Sequence, residues 1–390
     1  MGRVMPGPDR AGPGPYDPTA KPAIFHAMRA IRLAARGFRN LADFELDLPP
    51  AGGVFLGPNG HGKTSLLEAL YYPVLFRSFR AAADQDVACW DGVGFGITLG
   101  LTGDGRQATG EVTATFQRAV RRRRITIDGG EAKTLADSVG KWLAVVFLPT
   151  DLSLVQGAAS ERRGYLDRVL SLSYPEYFRA LLRYRRGLTQ RNAALRQGRA
   201  GLARSFESGM AVPGAEIIAR RLAWTGETAA RFGIESSALG ETGVTELRYK
   251  GDTSLTNPDG WPAAFDAVRP REEGRGVTLV GPQRDDLVLG LDGHELREFG
   301  STGQQRTAAV ALKLCELATI AERRGTEPAL LLDDVFAELD ETRQAGLAAR
   351  LKTSARQVFV TAPRRDELPD ELELPVFEVR DGRVSAGVVA

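Results

Sequence analysis

Nine consecutive residues combine the glycines, the lysine and the hydroxyl groups that bind nucleotide phosphates. They follow a short apolar run and lead into the first turn of a predicted helix. The nine residues are Gly57, Pro58, Asn59, Gly60, His61, Gly62, Lys63, Thr64 and Ser65. The glycines let backbone N–H groups close around phosphates, and the start of the helix adds the positive end of its dipole. Lys63 would contact the β- and γ-phosphates, and the Thr64 hydroxyl is a ligand for Mg²⁺. The segment therefore predicts a site for ATP and Mg²⁺.

An apolar run that ends in two acidic residues predicts the other half of such a site. Residues 329–332 are apolar, and Asp333 and Asp334 follow at once. Carboxylates at the carboxyl end of a strand face the nucleotide crevice in open α/β sheets. We expect Asp333 to hold Mg²⁺ through water and Asp334 to lie beside the attacking water. Asp334 and Lys63 are therefore the predicted catalytic residues, and Thr64 and Asp333 the predicted metal ligands.

A third segment, Ser301-Thr302-Gly303-Gln304, opens a predicted helix and resembles the signature motif of ABC-type ATPases. Serine and glycine at a helix start form an anion site. In the ABC fold this loop cannot reach its own subunit's ATP and completes the site of a partner subunit. The resemblance therefore implies an ATP-dependent homodimer in which Ser301, Gly303 and Gln304 contact the partner's nucleotide. Asp340 ends a segment that resembles the D-loop, and we expect it at the dimer seam.

Length and composition limit what can carry these motifs. The chain has 390 residues, of which 43% are hydrophobic, so it can bury a sizeable core. The formal net charge of +2 means that any contact with nucleic acid must come from local clustering of charge. Cys89 and Cys315 lie outside any metal-binding or redox spacing, and we find no membrane span or signal sequence, so we expect a soluble cytoplasmic protein.

The pattern of apolar residues predicts the elements that position the motifs. Residues 1–27 are rich in Pro and Gly, which predicts a disordered extension. Strands are expected at 30–34, 44–48, 53–56, 95–101, 110–117, 123–127, 144–148, 277–280, 287–291, 329–332 and 356–361. Helices are expected at 63–75, 160–199 with a break at Pro175, 215–232, 302–323 and 341–352. The fold class is therefore α/β, and with the three motifs above the parts 28–150 and 276–390 together resemble an ABC-type, SMC-head-like P-loop ATPase core. A mainly helical lobe, 151–275, is inserted between its two parts.

From residue 28 onward the chain resembles the RecF family of bacterial recombination mediators, which are relatives of SMC-type ATPase heads. The resemblance rests on several segments outside the general ATPase motifs: Phe38-Arg39-Asn40, 147–152, 160–163, Gln190-Arg191-Asn192, 214–218, 281–287 and 332–336. It implies an ATP-dependent DNA-binding dimer that recognises gaps and junctions of single- and double-stranded DNA. With RecR, and indirectly RecO, such a dimer would help to load RecA during repair and replication restart.

The sequence departs from related sequences in three respects, two of which suggest slow hydrolysis. Gln283 stands where the family often has His, with no consequence that we can assign. No histidine follows Asp334, so the strand 356–361 ends without the switch histidine of ABC ATPases. Asp334 itself replaces the usual glutamate with a shorter side chain. We therefore expect a weak, DNA-stimulated ATPase that times the release of a clamp. Gln156 is near the core, but we do not assign it the Q-loop role.

Two arginine-rich segments are candidates for contact with DNA phosphates. One is the run Arg121, Arg122, Arg123 and Arg124, and the other lies in the helical lobe and includes Arg179, Arg183, Arg185, Arg186 and Arg191. Guanidinium groups match phosphate oxygens, and several such contacts would make affinity fall steeply with salt. The alternative is a solvated, arginine-rich surface. Because no sequence-reading motif is present, we expect recognition of backbone and junction shape.

Other protein classes share part of this pattern. An ABC transporter ATPase subunit has the three nucleotide motifs, but it normally has a switch histidine and a shorter insertion. An SMC-type structural head needs long coiled-coil arms, which 151–275, with Pro175 and Pro213, does not predict. A nuclease-coupled ATPase would need a further acidic metal domain. A small-molecule kinase or other P-loop enzyme would not require the signature motif and remains an alternative.

Overall fold

The structure, a computed structural model, describes residues 26–80, 83–103, 110–352, 357–370 and 372–386. Its strands are β1 (His26–Arg36), β2 (Phe44–Asp47), β3 (Gly52–Leu56), β4 (Gly94–Gly103), β5 (Gly110–Gln117), β6 (Arg122–Ile127), β7 (Gly130–Glu131), β8 (Ala144–Phe147), β9 (Thr245–Lys250), β10 (Asp286–Leu291), β11 (His294–Glu295), β12 (Thr326–Glu327), β13 (Ala329–Asp333), β14 (Val358–Ala362), β15 (Val376–Arg380) and β16 (Arg383–Ala386). Its α-helices are α1 (Lys63–Leu75), α2 (Leu135–Ser138), α3 (Ser153–Gln156), α4 (Ala159–Ser173), α5 (Pro175–Arg196), α6 (Ala200–Ser205), α7 (Glu207–Ala238), α8 (Trp261–Arg275), α9 (Leu296–Phe299), α10 (Thr302–Arg324) and α11 (Glu341–Lys352).

A mostly parallel sheet carries the predicted nucleotide motifs. Its strands run in the order β16-β15-β3-β14-β13-β8, and the pairs among β3, β14, β13 and β8 are parallel. These four strands are almost entirely buried, as expected for parallel strands covered on both faces. The carboxyl ends of β3 and β13 are separated by the single strand β14. The segments that follow β3 and β13 therefore meet at one edge of the sheet.

A second sheet is antiparallel except at its edge and lies on the other side of α1. It has the order β12-β1-β4-β5-β6-β7, and β2 also pairs with β1. Buried and partly exposed residues alternate along β4, so one face of this sheet turns toward the core. Helix α1 contacts strands of both sheets and is buried over most of its length. Packing between two sheets holds the amino end of this helix in a fixed position.

The segment between the two halves of the core is mainly helical. Helices α4, α5, α7 and α8 form most of it, and α7 contacts both α5 and α10. It also contains β9, a strand that the sequence did not predict, which pairs with β10 beyond residue 275. The boundary between 275 and 276 stays a prediction, because this small sheet joins residues from both sides of it.

Most predicted elements are confirmed to within a few residues, but the predicted strand 277–280 is wrong. The backbone N–H of Thr278 donates to the Asn192 side chain, and that of Leu279 donates to Glu272. Side chains therefore take the donors that a neighbouring strand would have used, and the segment has no strand pairing. The sequence also did not predict α8, β15 or β16.

The ends of two further predicted segments differ from the structure. Residues 1–25 of the predicted extension lie outside the described residues, but His26 and Ala27 belong to β1, because they pair with Thr326 and Glu327. Helix α7 begins eight residues before the predicted start at 215 and passes through Pro213. Pro175 does break the preceding helical segment and is the first residue of α5, where a missing N–H costs little.

In the part of the chain that the structure describes, no helix combines the length and the apolar character needed to cross a membrane.

Candidate nucleotide site

The phosphate loop connects the buried strand β3 to α1 and is shaped by glycine. Gly60 and Gly62 have φ angles of 82° and 109°, in the left-handed region that other residues rarely adopt. At Gly57, a Cβ atom would lie 2.1 Å from the carbonyl oxygen of Val379, so only glycine fits beside β15. The loop ends at the amino terminus of the 13-residue helix α1, whose dipole favours an anion there.

Lys63 is buried and folds back over the loop. Its Nζ donates to the carbonyl oxygens of Gly57 at 2.7 Å and Pro58 at 3.3 Å, and to Oδ1 of Asn59 at 3.1 Å. No carboxylate among the described residues forms an ion pair with it. An ammonium group held by neutral oxygens next to a helix amino terminus fits a phosphate, which would supply the missing counter-charge.

Thr64 and Asp333 meet although 269 positions separate them in sequence. The Thr64 hydroxyl donates to Oδ1 of Asp333 at 3.0 Å. Burial raises the pKa of Asp333, hydrogen bonds from Thr361 and Thr64 lower it, and the neighbouring charge of Asp334 raises it further, so the net shift is upward. A hydroxyl and a carboxylate are the hard oxygen ligands that Mg²⁺ prefers. The two residues thus fit the metal predicted for them.

No cluster of three or more His, Cys, Asp or Glu side chains with metal-binding geometry occurs among the described residues. A Mg²⁺ ion at Thr64 and Asp333 would therefore take its other ligands from phosphates and water, as is usual for this ion.

Asp334 lies at the mouth of the same site in an unusual backbone conformation. Its φ angle is 50°, which aspartate tolerates better than most residues. Its backbone N–H donates to Oγ1 of Thr361 at 3.0 Å. Together with Lys63 and Thr64, Asp334 lines a cavity of about 820 Å³. The structure thus brings the two predicted catalytic residues and the threonine ligand to one cavity.

The cavity has a second wall that the sequence analysis did not predict. This wall comprises Arg39, Asn40, Arg80, Gln85, Asp86, Ala88, Trp90 and Arg118. The rest of the lining is Asp334 and the loop residues Asn59, Gly60, Gly62, Lys63, Thr64 and Ser65. Arg39 is held by the buried Glu68, which accepts from its Nη2 at 2.7 Å. Arg118 donates to the carbonyl oxygens of Trp90, Gln85 and Cys89 and so fixes the loop that carries Trp90. Glu68 also lies 3.6 Å from Nη1 of Arg80, whereas Arg118 bonds to neutral carbonyl oxygens and so offers its charge to a phosphate.

Three residues of the predicted loop do not line the cavity. Gly57 and Pro58 contribute their carbonyl oxygens to Lys63 instead. His61 turns toward another loop, where its Nδ1 accepts a hydrogen bond from the backbone N–H of Asp381 at 3.0 Å. Ser65 does line it, and its hydroxyl donates to Oδ1 of Asn40 at 2.8 Å.

The signature segment lies outside the cavity. Ser301 caps α10 by accepting a hydrogen bond from the backbone N–H of Gln304, whose side chain accepts one from the N–H of Ser301. Asp340 forms an ion pair with Arg343, whose Nε also donates to Thr307 of α10 at 2.7 Å. Through Arg343 the structure therefore joins α10, the helix that the signature segment opens, to Asp340 of the predicted D-loop. The contact of Ser301, Gly303, Gln304 and Asp340 with a nucleotide stays a prediction.

Gln156 is not among the residues that line the cavity. Its Nε2 donates to Oε1 of Gln305 in α10 at 2.7 Å, which gives it a role in the packing of this helix.

The arginines predicted to contact DNA differ in how they are engaged. Arg123 donates to the carbonyl oxygen of Phe76 at the end of α1, where a positive charge offsets the helix dipole, and lies 3.4 Å from Asp84. Arg124 and Arg122 lie 2.9 and 3.8 Å from Glu131. A DNA contact by Arg123 would have to break interactions of the fold, whereas the other two pairs are largely exposed.

The arginines of α5 divide more clearly into exposed and buried ones. Arg183 and Arg186 are exposed and, with Arg179, form a stripe along one side of the helix without an acidic partner among the described residues. Arg191 is buried and pairs with Glu272 at 2.6 Å, so the prediction that it is a surface contact for DNA is wrong. The exposed and buried arginines differ because one face of the helix is buried, and the distribution of charge along the sequence does not show which face that is.

Comparison with known proteins gives consistent results along the chain. Residues 30–381 match the model of the RecF/RecN/SMC N terminal domain. The protein named DNA replication and repair protein RecF from Chloroflexus aurantiacus is 36% identical over 92% of this chain and 100% of its own length. The protein of the same name from Heliobacterium modesticaldum is 35% identical over 92% of this chain and 98% of its own.

Solved structures agree with the sequence comparison. A structure of "the recombination mediator protein RecF-ATPrS in RecFOR pathway" superposes with a TM-score of 0.81 at 26% identity and covers 94% of this chain and 100% of its own. An Smc head domain from Pyrococcus furiosus superposes with a TM-score of 0.54 at 14% identity, over 92% of this chain and 96% of its own, and supports the fold alone.

Proposed function

The chain belongs to the RecF/RecN/SMC N-terminal domain family, and from this membership we propose that it is an ATP-dependent DNA-binding protein of replication and repair. The observation that carries the proposal is the single cavity in which Lys63, Thr64 and Asp334 converge. A protein that merely shared the fold would not need a buried lysine without a carboxylate partner among the described residues, a hydroxyl–carboxylate pair and an acid at one edge of a sheet. ATP is the ligand that uses all of these groups together.

Each residue of the cavity has a separate task in binding and hydrolysis. The amino end of α1 and Lys63 bind the phosphates, and Thr64 and Asp333 would hold Mg²⁺. When bound, the metal neutralises charge that develops on the γ-phosphate. Asp334 accepts a hydrogen bond from water and orients it toward the phosphorus. Because its side chain is shorter than the usual glutamate and no histidine follows it, we propose slow hydrolysis, suited to a switch.

The signature segment supports a dimer that depends on ATP. Ser301 is exposed at the amino end of the 23-residue helix α10, outside its own subunit's cavity. We propose that a second copy places its Ser301 and Gly303 against the nucleotide of the first, and that Asp340 lies at the seam. ATP then closes two subunits on DNA, and hydrolysis releases them.

The exposed arginines of α5 are the candidates for phosphate contact. Arg179, Arg183 and Arg186 recur at spacings of four and three residues, which places them on one side of the helix. Arg121 is also exposed. These groups would read backbone rather than sequence, consistent with recognition of gaps and junctions. From the relatives in the RecFOR pathway we also propose RecR, and indirectly RecO and RecA, as partners in the cytoplasm.

The mass of the protein in solution tests this proposal. It is measured without nucleotide, with ADP and with ATP and Mg²⁺, each with and without gapped DNA. We expect a dimer with ATP and Mg²⁺ but not with ADP or without nucleotide, and we expect DNA to favour it. Ser301→Arg, which leaves the cavity intact, should abolish the dimer. Asp334→Asn should bind ATP and dimerise but turn over more slowly. A monomer under all conditions despite measured ATP binding would contradict the clamp and favour a P-loop enzyme that acts on a small molecule.

A further inference from the structure

One buried hydroxyl contacts both acidic residues of the site from a neighbouring strand. Thr361 lies in β14, the strand between β3 and β13, and is directly opposite Asp333 in the parallel register. The other residues of β14 are valine, phenylalanine and alanine, and all five are buried. A β-branched apolar residue would satisfy the packing equally well, so the hydroxyl is there for a polar contact.

The hydrogen bonds of this hydroxyl can be assigned from its distances. Oγ1 of Thr361 accepts a hydrogen bond from the backbone N–H of Asp334 at 3.0 Å. It lies 2.8 Å from Oδ1 of Asp333, 3.3 Å from Oδ1 of Asp334 and 3.5 Å from the carbonyl oxygen of Leu332. A hydroxyl has one proton, and the shortest distance assigns it to Asp333.

We propose that Thr361 is a positioning residue for both acidic side chains. It donates to the oxygen of Asp333 that also accepts from Thr64, so two hydroxyls from different elements hold that carboxylate in one orientation. It accepts from the backbone of Asp334, whose φ angle of 50° needs support from outside the residue. This inference rests on the proposed function of the site and assigns Thr361 no contact with nucleotide or metal.

The Thr361 hydroxyl links the residue predicted to bind the metal, Asp333, to the residue predicted to act in hydrolysis, Asp334. The carboxylate predicted to hold the metal and the backbone that aims the predicted hydrolytic carboxylate share one Oγ1 atom. If this atom is lost, Asp334 keeps its side chain but is free to leave the left-handed conformation. Phosphate binding by Lys63 and the loop does not involve Thr361. The expected defect is therefore in metal dependence and turnover, with little change in metal-free binding.

Thr361→Val and Thr361→Ser separate the hydroxyl from the shape of the side chain. For Thr361→Val we expect affinity for ATP in EDTA within about twofold of wild type, a smaller gain in affinity on addition of Mg²⁺, and a kcat about tenfold lower, which is about 1.4 kcal/mol in barrier height. Thr361→Ser restores the hydroxyl and should lie within about threefold of wild type in kcat. Thr225→Val removes a buried hydroxyl whose bond is to the Arg221 carbonyl within α7, and it is the matched control.

Each outcome bears on a distinct claim. Wild-type kcat and Mg²⁺ dependence in Thr361→Val would overturn the inference, as would a Thr361→Ser variant impaired as much as the valine variant. Folding is followed by the midpoint of urea unfolding, so that a general loss of structure is separated from a local defect. If the wild-type protein neither bound nor hydrolysed ATP, the proposed function itself would fail, irrespective of the behaviour of Thr361.

Discussion

Replacement of Arg221 by methionine should destabilise the contact between the helical lobe and the segment that precedes β10. Arg221 lies in α7 and is buried, with Nη2 at 2.7 Å from Asp167 and Nη1 at 3.0 Å from Asp285. It also donates to the carbonyl oxygen of Pro282 and to the hydroxyl of Tyr177. One guanidinium thus joins α4, α7 and the turn before β10.

The expected loss in the free energy of unfolding depends on which partners Asp167 and Asp285 keep when Arg221 is removed. Removal of one partner from a buried ion pair costs about 3–5 kcal/mol, because a charge is left without compensation. Asp167 would keep Arg185 at 2.7 Å, and Asp285 would keep the hydrogen bond from Tyr249. These contacts reduce the cost, so we expect a loss of about 3 kcal/mol in the free energy of unfolding at pH 7.

The destabilisation caused by Arg221→Met should be smaller at acidic pH than at pH 7. Burial alone would raise the pKa of Asp167, but the charges of Arg221 and Arg185 outweigh it and lower the pKa. The stabilisation from this carboxylate is therefore present above its unfolded pKa of about 4 and is lost as the pH falls through the lowered folded value. Burial raises the pKa of Asp285 in the wild type. Without Arg221 that pKa rises further, so Asp285 is protonated at a higher pH in the variant than in the wild type. Protonation removes the uncompensated buried charge and so reduces the destabilisation.

Urea unfolding followed by circular dichroism at pH 7 and pH 4 measures both effects. The control is Arg220→Met, whose guanidinium is partly exposed and lies 3.7 Å from Glu176, and its loss should stay below about 1 kcal/mol. Equal losses for the two variants, or a deficit of Arg221→Met that grew toward pH 4, would refute the reasoning.

Four further changes test other parts of the structure. Lys63→Met should lower affinity for ATP about 10- to 100-fold in a calorimetric titration, because it removes charge-assisted bonds, and unaltered affinity would contradict its assignment. Arg186→Gln should weaken binding to gapped DNA and reduce the slope of log K against log salt by about 1, and an unchanged slope would remove it from the interface. Gln283→His should cost about 1 kcal/mol in urea unfolding, since the amide accepts one hydrogen bond and donates two, whereas neutral histidine offers one of each. Gly214→Ala should cost about 2–3 kcal/mol and lower the melting temperature, because its Cβ would lie 2.1 Å from the ring of Trp261; a neutral result would mean that the ring moves freely.

The strands and helices that carry the motifs were predictable because their signals are local. The helix at 63–75 was predicted to the residue, since a glycine-rich loop precedes it and an apolar pattern continues through it. Strand β13 was predicted because an uninterrupted apolar run ends in two acids. Both signals lie within about a dozen residues and do not depend on what packs against them.

The second wall of the cavity could not be predicted in this way. Arg39, Arg80, Arg118 and Trp90 come from three separate connections between elements, and no spacing between them marks a site. Their positions follow from the pairing of β4 with β1 and β5, which brings the loops together. Thr361 is similar, since its role depends on the register between β13 and β14. The fate of each arginine on α5 likewise depends on which face of that helix is buried.

Helix α10 shows how the site and the helical lobe are mechanically connected. Its amino end presents Ser301, and further along it the buried Glu316 accepts from Arg168 of α4 at 2.9 Å and from Lys313 at 2.6 Å. The charges of Arg168 and Lys313 outweigh burial and lower the pKa of Glu316, so it stays ionised and the contact persists at neutral pH. The ion pair joins α10, whose amino end carries Ser301, to α4 in the helical segment that also contains the exposed arginines of α5. On the proposed function, closure of the dimer at the nucleotide and movement of α5, the candidate DNA-binding helix, would therefore be coupled.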